Sequence, residues 1–218
     1  MTGVLRETLG QLVAPGWRRP ALLLFAFISL TSAGVVADQA GQADRFGILF
    51  AVSGLVRLAA VWLLSVALLR IGAGSARPAY LPDGAFWLHG LLSFIPVAVA
   101  LAFQLALPPE WPIGGAFANI ATLPLAAWFV AAAVENPLAW KPMPWLANLG
   151  AWLLPVLVWS LLLVFPIIVL HAWLTVRIGG MTLGASWWLI LIDAALSTLG
   201  ALLSLALGLA AYRRVAKD

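Results

Sequence analysis

Six long apolar runs constrain this chain more than any motif in it. They cover approximately residues 21–37, 46–69, 86–107, 113–134, 145–170 and 186–211. Crossing the ~30 Å hydrocarbon core of a bilayer takes about 20 residues of helix, and each run is close to or above that length. Hydrocarbon offers no partner to a backbone N–H or C=O, so a spanning segment must be a helix or a strand of a closed barrel. A barrel needs stretches of ~10 residues that alternate apolar and polar. These runs are continuously apolar, rich in Leu and Ala, and longer. The expected fold is an all-α, polytopic transmembrane bundle of six spans. Only 9% of the residues are charged, against about 25% in an ordinary globular domain, so the chain could not cover a water-facing surface of its own size.

The segment before the first run reads differently. Val4, Leu5, Leu9, Leu12 and Val13 fall near helical spacing on one side, with Arg6, Glu7 and Gln11 elsewhere, before Gly16-Trp17-Arg18-Arg19-Pro20 interrupts the pattern. That is the pattern of an amphipathic helix lying in the headgroup region. Val35-Val36-Ala37 could pass for a signal-peptidase site, but the long preceding segment and Glu7 favour an uncleaved first span. The expected organisation is an interfacial segment over 1–20, a six-helix domain over 21–212 and a short basic tail over 213–218. Turn residues mark the linkers: Asp38 onward, Gly72-Ala73-Gly74 through Pro82-Asp83-Gly84, Pro108-Pro109-Glu110 with Pro112, Asn136-Pro137 through Pro144, and Gly179-Gly180.

Charge sets the expected orientation. With six spans, one side holds Arg6, Arg18, Arg19, Arg70, Arg77, Lys141, Arg213, Arg214 and Lys217, and the other only Arg45 and Arg177. Basic residues stay on the cytoplasmic side, so both termini are expected there, in a bacterial-type cytoplasmic membrane. Arg45 stands near Asp38 and Asp44. The formal net charge of +4 is scattered at run ends, which suits anionic lipid headgroups and not nucleic acid. Trp17, Trp87, Trp140 and Trp145 flank one predicted surface and Trp111, Trp173, Trp187 and Trp188 the other, where an indole keeps its ring in the acyl region and its N–H near water. Trp62, Trp128, Trp152 and Trp159 fall inside spans and are expected to pack or hydrogen-bond between helices.

Two ionisable residues lie well inside the predicted spans, Arg57 and Asp193. A charge there is expensive and marks a pairing or a function. Asp193, Ser197, Gly200, Ser204 and Gly208 form one small and polar stripe on the last span, and Ser53, Gly54 and Arg57 share a face on the second. Small residues at this spacing let helices approach closely, so the two faces are expected to meet or to share a small hydrated cavity. Arg57 and Asp193 would then form a structural ion pair, a site for an anionic ligand, or a place for a proton step. Gln104, Asn119 and Asn148 complete the interior polar set, with several hydroxyls. His89 and His171 fall at opposite ends of their predicted spans and read as interfacial hydrogen-bonding groups, too far apart to share a metal. Pro96, Pro124, Pro155 and Pro166 lie inside runs and are expected to shape them.

The chain contains no cysteine, which removes thiolate chemistry and disulfides. It shows no phosphate-binding glycine loop, no Ser-His-Asp arrangement and no His-Glu-x-x-His. Glu110 and Glu135 fall in linkers on opposite sides and cannot act as an acid–base pair. No enzyme activity, cofactor or metal is therefore expected.

The end of the last run, Ala201 to Arg214 with its Leu209-Ala210-Ala211-Tyr212-Arg213-Arg214 close, and the linker Val134-Glu135-Asn136-Pro137-Leu138-Ala139 resemble bacterial six-span membrane proteins related to the membrane domain of glycerophosphoryl diester phosphodiesterases. That family follows its linker with a more basic stretch, where Trp140-Lys141-Pro142-Met143-Pro144 stands here. The resemblance implies six spans behind a basic amphipathic segment and no catalytic residue, since the hydrolase is a separate soluble domain. The expected role is an accessory or scaffold subunit of a membrane complex, contacting lipids and packing through small-residue faces against itself or other proteins. The alternative is a small transporter or lipid-handling protein with its site around Arg57 and Asp193.

Overall fold

Each apolar run becomes helix, and two of the six break. The computed structural model describes residues 2–41, 47–108, 111, 113–134, 136, 139–147, 149–179 and 181–216. The readings made on Asp44, Arg45, Pro109, Glu110, Pro112, Glu135, Pro137, Leu138, Asn148, Gly180 and Lys217 concern positions outside these. The helices are α1 (Thr2–Leu12), α2 (Pro15–Gly41), α3 (Ile48–Ala73), α4 (Gly84–Ala106), α5 (Gly114–Ala121), α6 (Ala126–Ala133), α7 (Met143–Ala147), α8 (Leu149–Trp159), α9 (Phe165–Ile178) and α10 (Leu183–Val215). There is no strand among the described residues. The helices α2, α3, α4, α8 continued by α9, and α10 are each long and apolar enough to cross a membrane, and the bent pair of α5 and α6 makes a sixth span. The protein is an all-α, multi-pass membrane bundle.

The first span begins earlier than its apolar run. Pro15 opens α2 at a position where a missing N–H costs nothing, and Gly16 to Pro20 continue the helix instead of breaking it. Trp17 is accordingly in the core, 1% exposed, with Leu69 and Leu209 around it. The division expected at residue 20 falls inside α2, and that expected at 212 falls inside α10. Arg213 and Arg214 are helical and reach Glu7 of α1 at 2.9 and 3.1 Å, and Arg213 also donates to the Gly72 carbonyl. Val4 and Thr8 of α1 are buried. The N-terminal helix is thus clamped onto the ends of α3 and α10, so both chain ends share one face of the bundle, called here the terminal face. At the opposite, distal face the Asp38 carboxylate accepts from the Gly47 backbone N–H at 2.6 Å, tying the end of α2 to the start of α3.

Capping fixes the terminal-face loop. Gly74 closes α3 with φ +67, and its N–H bonds back to the carbonyls of Arg70 and Ile71, a left-handed position that glycine occupies without strain. Asp83 caps α4 by accepting from the Phe86 N–H at 3.0 Å. Arg70, 1% exposed, spends its guanidinium on the Asp83 carboxylate and on the carbonyls of Pro78, Leu81 and Ala133. Burial pushes the Asp83 carboxyl upward, but the Phe86 N–H and the Arg70 guanidinium, with Arg77 adding positive charge, outweigh it and hold its pKa below the ordinary carboxylate value.

The breaks have local causes. Between α5 and α6 the turn Leu123–Leu125 carries Pro124, and the two helices meet at 47°. Between α8 and α9 the chain makes a π turn over Ser160–Val164, ending two residues before Pro166, which has no N–H to donate. Alanines 131, 132 and 133 of α6 and 210 and 211 of α10 are fully buried, so small side chains bring backbones close where no hydrophobic drive from water exists.

Candidate functional site in the distal half

Arg57 begins its story on α2, not on α10. Its Nε donates to Thr31 Oγ1 at 2.9 Å, and its Nη2 donates to Ser32 Oγ and to the Ile28 carbonyl at 3.3 Å. The helices α2 and α3 can present these groups to each other because they pack tightly. A Cβ built on Gly34 would lie 2.3 Å from Ser53 Oγ, so Gly34 admits Ser53 where any larger residue would force the helices apart. The face of Ser53 and Arg57 therefore rests on α2. Arg57 Nη1 has no hydrogen-bond partner among the described residues.

Asp193 has a different partner. His171 Nδ1 lies 2.6 Å from Asp193 Oδ1, and Ser197 Oγ lies 3.0 Å from the same nitrogen. Asp193 is 4% exposed. An ionised carboxylate can only accept, so with Asp193 charged the imidazole carries its proton on Nδ1 and donates it. The expected direct Arg57–Asp193 ion pair is not how either residue is satisfied: Arg57 is turned to the α2 hydroxyls and Asp193 to α9, and no N···O approach within 4 Å joins them. What they share is space. Arg57, Gly54, Ser32, His171, Thr175 and Asp193 line one cavity of about 320 Å³ between α2, α3, α9 and α10.

The three ionisable groups lie at similar depth. At roughly 1.5 Å per residue, Arg57 is about 14 Å along α3 from its distal end, Asp193 about 15 Å along α10, and His171 about 11 Å along α9. His171 is therefore no interfacial group closing the fifth span at 170. The helix continues to Ile178 and stops at Gly179, which draws His171 into the bundle. The sequence carried this signal in the glycine pair after Ile178, a stronger stop than anything near 170. Arg177 stays outside, over the Trp173 ring at 4.2 Å.

The stripe of α10 shares the cavity with the α3 face only at Asp193, and its glycines turn to other helices. A Cβ on Gly200 would reach Ile167 Cγ2 of α9 at 3.3 Å, and one on Gly208 would reach Val130 Cγ2 of α6 at 3.2 Å. Ser197, Gly200 and Ser204 line a second cavity of about 250 Å³ that shares His171 with the first. Ser204 and Gly208 line a third, of about 420 Å³, with His89, Ser93, Asn119 and Thr122, beside the break between α5 and α6. There Asn119 Nδ2 donates to Ser204 Oγ at 3.4 Å and Asn119 Oδ1 accepts from Ser160 at 3.1 Å. His89, read from sequence as interfacial, is 7% exposed and its Nδ1 meets the Phe129 carbonyl at 3.0 Å. Gln104 lies at the distal end of α4, accepting from Gly114 N–H at 3.3 Å. Of the tryptophans inside spans, Trp62 Nε1 donates to the Phe86 carbonyl at 3.1 Å and Trp128 Nε1 to Ala139 at 2.6 Å.

Among the described residues no three His, Asp or Glu side chains come close enough to hold a metal ion. The distal site is instead a fixed cation, a hydrogen-bonded carboxylate–imidazole pair, and hydroxyls. Compared with protein families, curated proteins and solved structures, the chain matches none of them.

Proposed function

We propose that this protein is a small transport or ligand-handling protein of a bacterial-type cytoplasmic membrane, both termini in the cytoplasm, that binds a small acidic molecule at Arg57. The observation that carries this reading is Arg57 itself: its head is held by α2 through Nε and Nη2, while Nη1 has no partner among the described residues and the residue lines a 320 Å³ cavity. A permanently charged donor inside a span is costly unless something is gained from it. A carboxylate or phosphate oxygen is the natural acceptor for that donor.

The Asp193–His171 pair supplies the compensating charge. With Asp193 ionised, its charge balances that of Arg57 across the cavity. An arriving anion adds a negative charge, and uptake of one proton by the pair restores neutrality. The groups facing this exchange are Arg57 from α3, Asp193 from α10 and His171 from α9, while α2 offers only hydroxyls and a carbonyl. Binding is therefore expected to strengthen as pH falls.

The excess of Arg and Lys on the terminal face supports the orientation, and the same residues suit contact with anionic lipid headgroups. An accessory role through small-residue faces draws less support, because Gly200 and Gly208 already seat side chains of α9 and α6. The test is thermal unfolding of the detergent-purified protein against a panel of small carboxylates and phosphates at mildly acidic and neutral pH. A ligand at about 100 times its dissociation constant adds about 2.7 kcal/mol, a shift easily read. The expected result is stabilisation that is larger in acid and absent in Arg57→Gln. A panel without effect, or an unchanged shift in Arg57→Gln, would overturn the reading.

A further inference from the structure

The polar stripe of α10 is bordered by cavities along most of its length. The distal cavity, about 320 Å³, and the next, about 250 Å³, both include His171. That second cavity and the 420 Å³ cavity both include Ser204. The last of these contains His89, which also lines an adjoining space of about 220 Å³ with Ser65, Ser93 and Trp62. Asp193 starts the series in the distal half. His89, five residues into α4, ends it in the terminal half, about 8 Å from the end of that helix at the rise of an α-helix.

We propose that this series is a proton path, joining the Asp193–His171 pair to His89 past Ser197, Ser204 and Asn119. It uses the same carboxylate–imidazole pair as the proposed ligand site but needs no ligand. Two hydrogen-bonded groups lie along it, and the cavities span the gaps between them and His89. His171 Nδ1 contacts both Asp193 and Ser197, and Ser204 contacts Asn119, which contacts Ser160. Each cavity is large enough for several waters, and each has polar groups to hold them. His89 donates Nδ1–H to the Phe129 carbonyl, which leaves its Nε2 as the lone pair and hence the proton acceptor.

The proton balance is simple. A proton from the distal side adds to the lone pair of His171 Nε2, since Nδ1 already carries the proton donated to Asp193, and the ionised carboxylate holds the resulting imidazolium. Nε2 then gives a proton to water in the adjoining cavity that Ser197 lines, which restores the neutral imidazole with its Nδ1 proton in place. Water past Ser204 and Asn119 carries it to His89 Nε2, which releases it toward the terminal face. One proton crosses, and every group returns to its starting state. The charged and titratable groups lining the series are Arg57 on α3, Asp193 on α10, His171 on α9 and His89 on α4, with Arg70 of α3 near His89; α5 contributes the Asn119 amide, the turn after it the Thr122 hydroxyl, and α6 the Phe129 carbonyl. Beyond the distal cavity no Lys or Arg lines these spaces among the described residues, and the nearby Arg70 is spent on Asp83 and three carbonyls. That composition suits water and protons and gives a phosphate headgroup nothing to follow.

The test uses the full chain in proteoliposomes of phosphatidylethanolamine and phosphatidylglycerol, with a pH-sensitive dye inside and valinomycin with potassium to carry the compensating charge. An imposed acid step is expected to acidify these vesicles several-fold faster than protein-free ones, and Ser204→Leu is expected to bring the rate down to the protein-free level. Because the chain has no cysteine, Ser204→Cys gives a single thiol in the middle of the path. Methyl methanethiosulfonate is expected to add to it, read by mass, and to lower the rate of that variant. Acidification no faster than in protein-free vesicles, or unchanged by Ser204→Leu, would overturn the path, as would a Ser204→Cys thiol that never reacts. Failure here leaves the acid-dependent ligand stabilisation at Arg57 intact, so the two readings fail separately.

Discussion

His171 Nδ1 lies 2.6 Å from Asp193 Oδ1, deep in the distal half of the bundle. Leaving a buried partner unsatisfied costs about 1–3 kcal/mol, and more when it is charged. His171→Ala and Asp193→Ala are each expected to lower the unfolding temperature in detergent, while the double variant recovers part of the loss. A thermodynamic cycle isolates this coupling, expected at about 0.5–3 kcal/mol. The same cycle run on Arg57 and Asp193 is expected to give a smaller value, since those side chains share a cavity and no hydrogen bond. Full additivity for His171 and Asp193 would show that the contact carries no energy.

What the sequence revealed about this site follows from what hydrophobicity can encode. Arg57 and Asp193 stood out because a charge in an apolar run has no other explanation, and the six spans followed from run length. Partner choice did not follow. Arg57 turns to Thr31 and Ser32 because Gly34 lets α2 approach α3 at Ser53, a matter of fit between surfaces that composition does not record. His171 was lost to a span boundary drawn eight residues early. The π turn before Pro166 adds one residue to a turn and so rotates everything beyond it, which no fixed period anticipates. His89 looked interfacial from its place near a span end, yet α4 buries it against the Phe129 carbonyl.

The arginine fork at position 57 should not tolerate lysine. Its Nε and Nη2 serve Thr31, Ser32 and the Ile28 carbonyl at once, and an ammonium has neither the planar geometry nor the reach to replace them. Arg57→Lys is expected to lose ligand-induced stabilisation nearly as fully as Arg57→Gln, with a loss of about 1–2 kcal/mol in stability without ligand from the missing bonds. Thermal unfolding of both variants reads both quantities. A lysine variant with wild-type ligand response would mean that charge alone, and not the fork, is recognised.

Asp83 gives the fold an acid-sensitive joint. Its pKa is depressed in the folded state, so its contribution is complete above the unfolded carboxylate value and is lost as pH falls through the lower folded value. Asp83→Asn keeps a cap acceptor, because asparagine caps as well as aspartate, and is expected to cost about 1 kcal/mol at neutral pH through the lost charge opposite Arg70. The gap between wild type and variant should narrow as pH drops below the ordinary carboxylate range near ~4. Melting curves of both proteins across that range decide it, and a gap that stays constant would mean that Asp83 acts only through shape.

Gly90 holds an aromatic stack in place. A Cβ there would fall 1.7 Å from Trp62 Cζ2, and Trp62 is stacked on Phe86 with ring centroids 4.6 Å apart. Gly90→Ala is expected to destabilise by about 1–3 kcal/mol through overpacking. Trp62→Leu is expected to relieve part of that loss when combined with it. Unfolding of the single and double variants tests this, and a Gly90→Ala protein as stable as wild type would mean that the indole simply moves aside.

The α10 stripe offers a direct contrast between packing within one chain and packing between chains. Gly208 has Val130 Cγ2 at 3.2 Å from where a Cβ would stand, and Gly200 has Ile167 Cγ2 at 3.3 Å. Both neighbours belong to the same chain and are held by helices α6 and α9. Gly208→Leu must therefore displace α6 from α10, and is expected to lower the unfolding temperature by the equivalent of about 1–3 kcal/mol without changing the oligomeric state. If the stripe served self-association, the same substitution would leave each protomer folded and dissociate the assembly. Light scattering on the detergent-solubilised protein, read beside its melting curve, separates the outcomes: a stable, dissociated variant would refute intramolecular packing of this face.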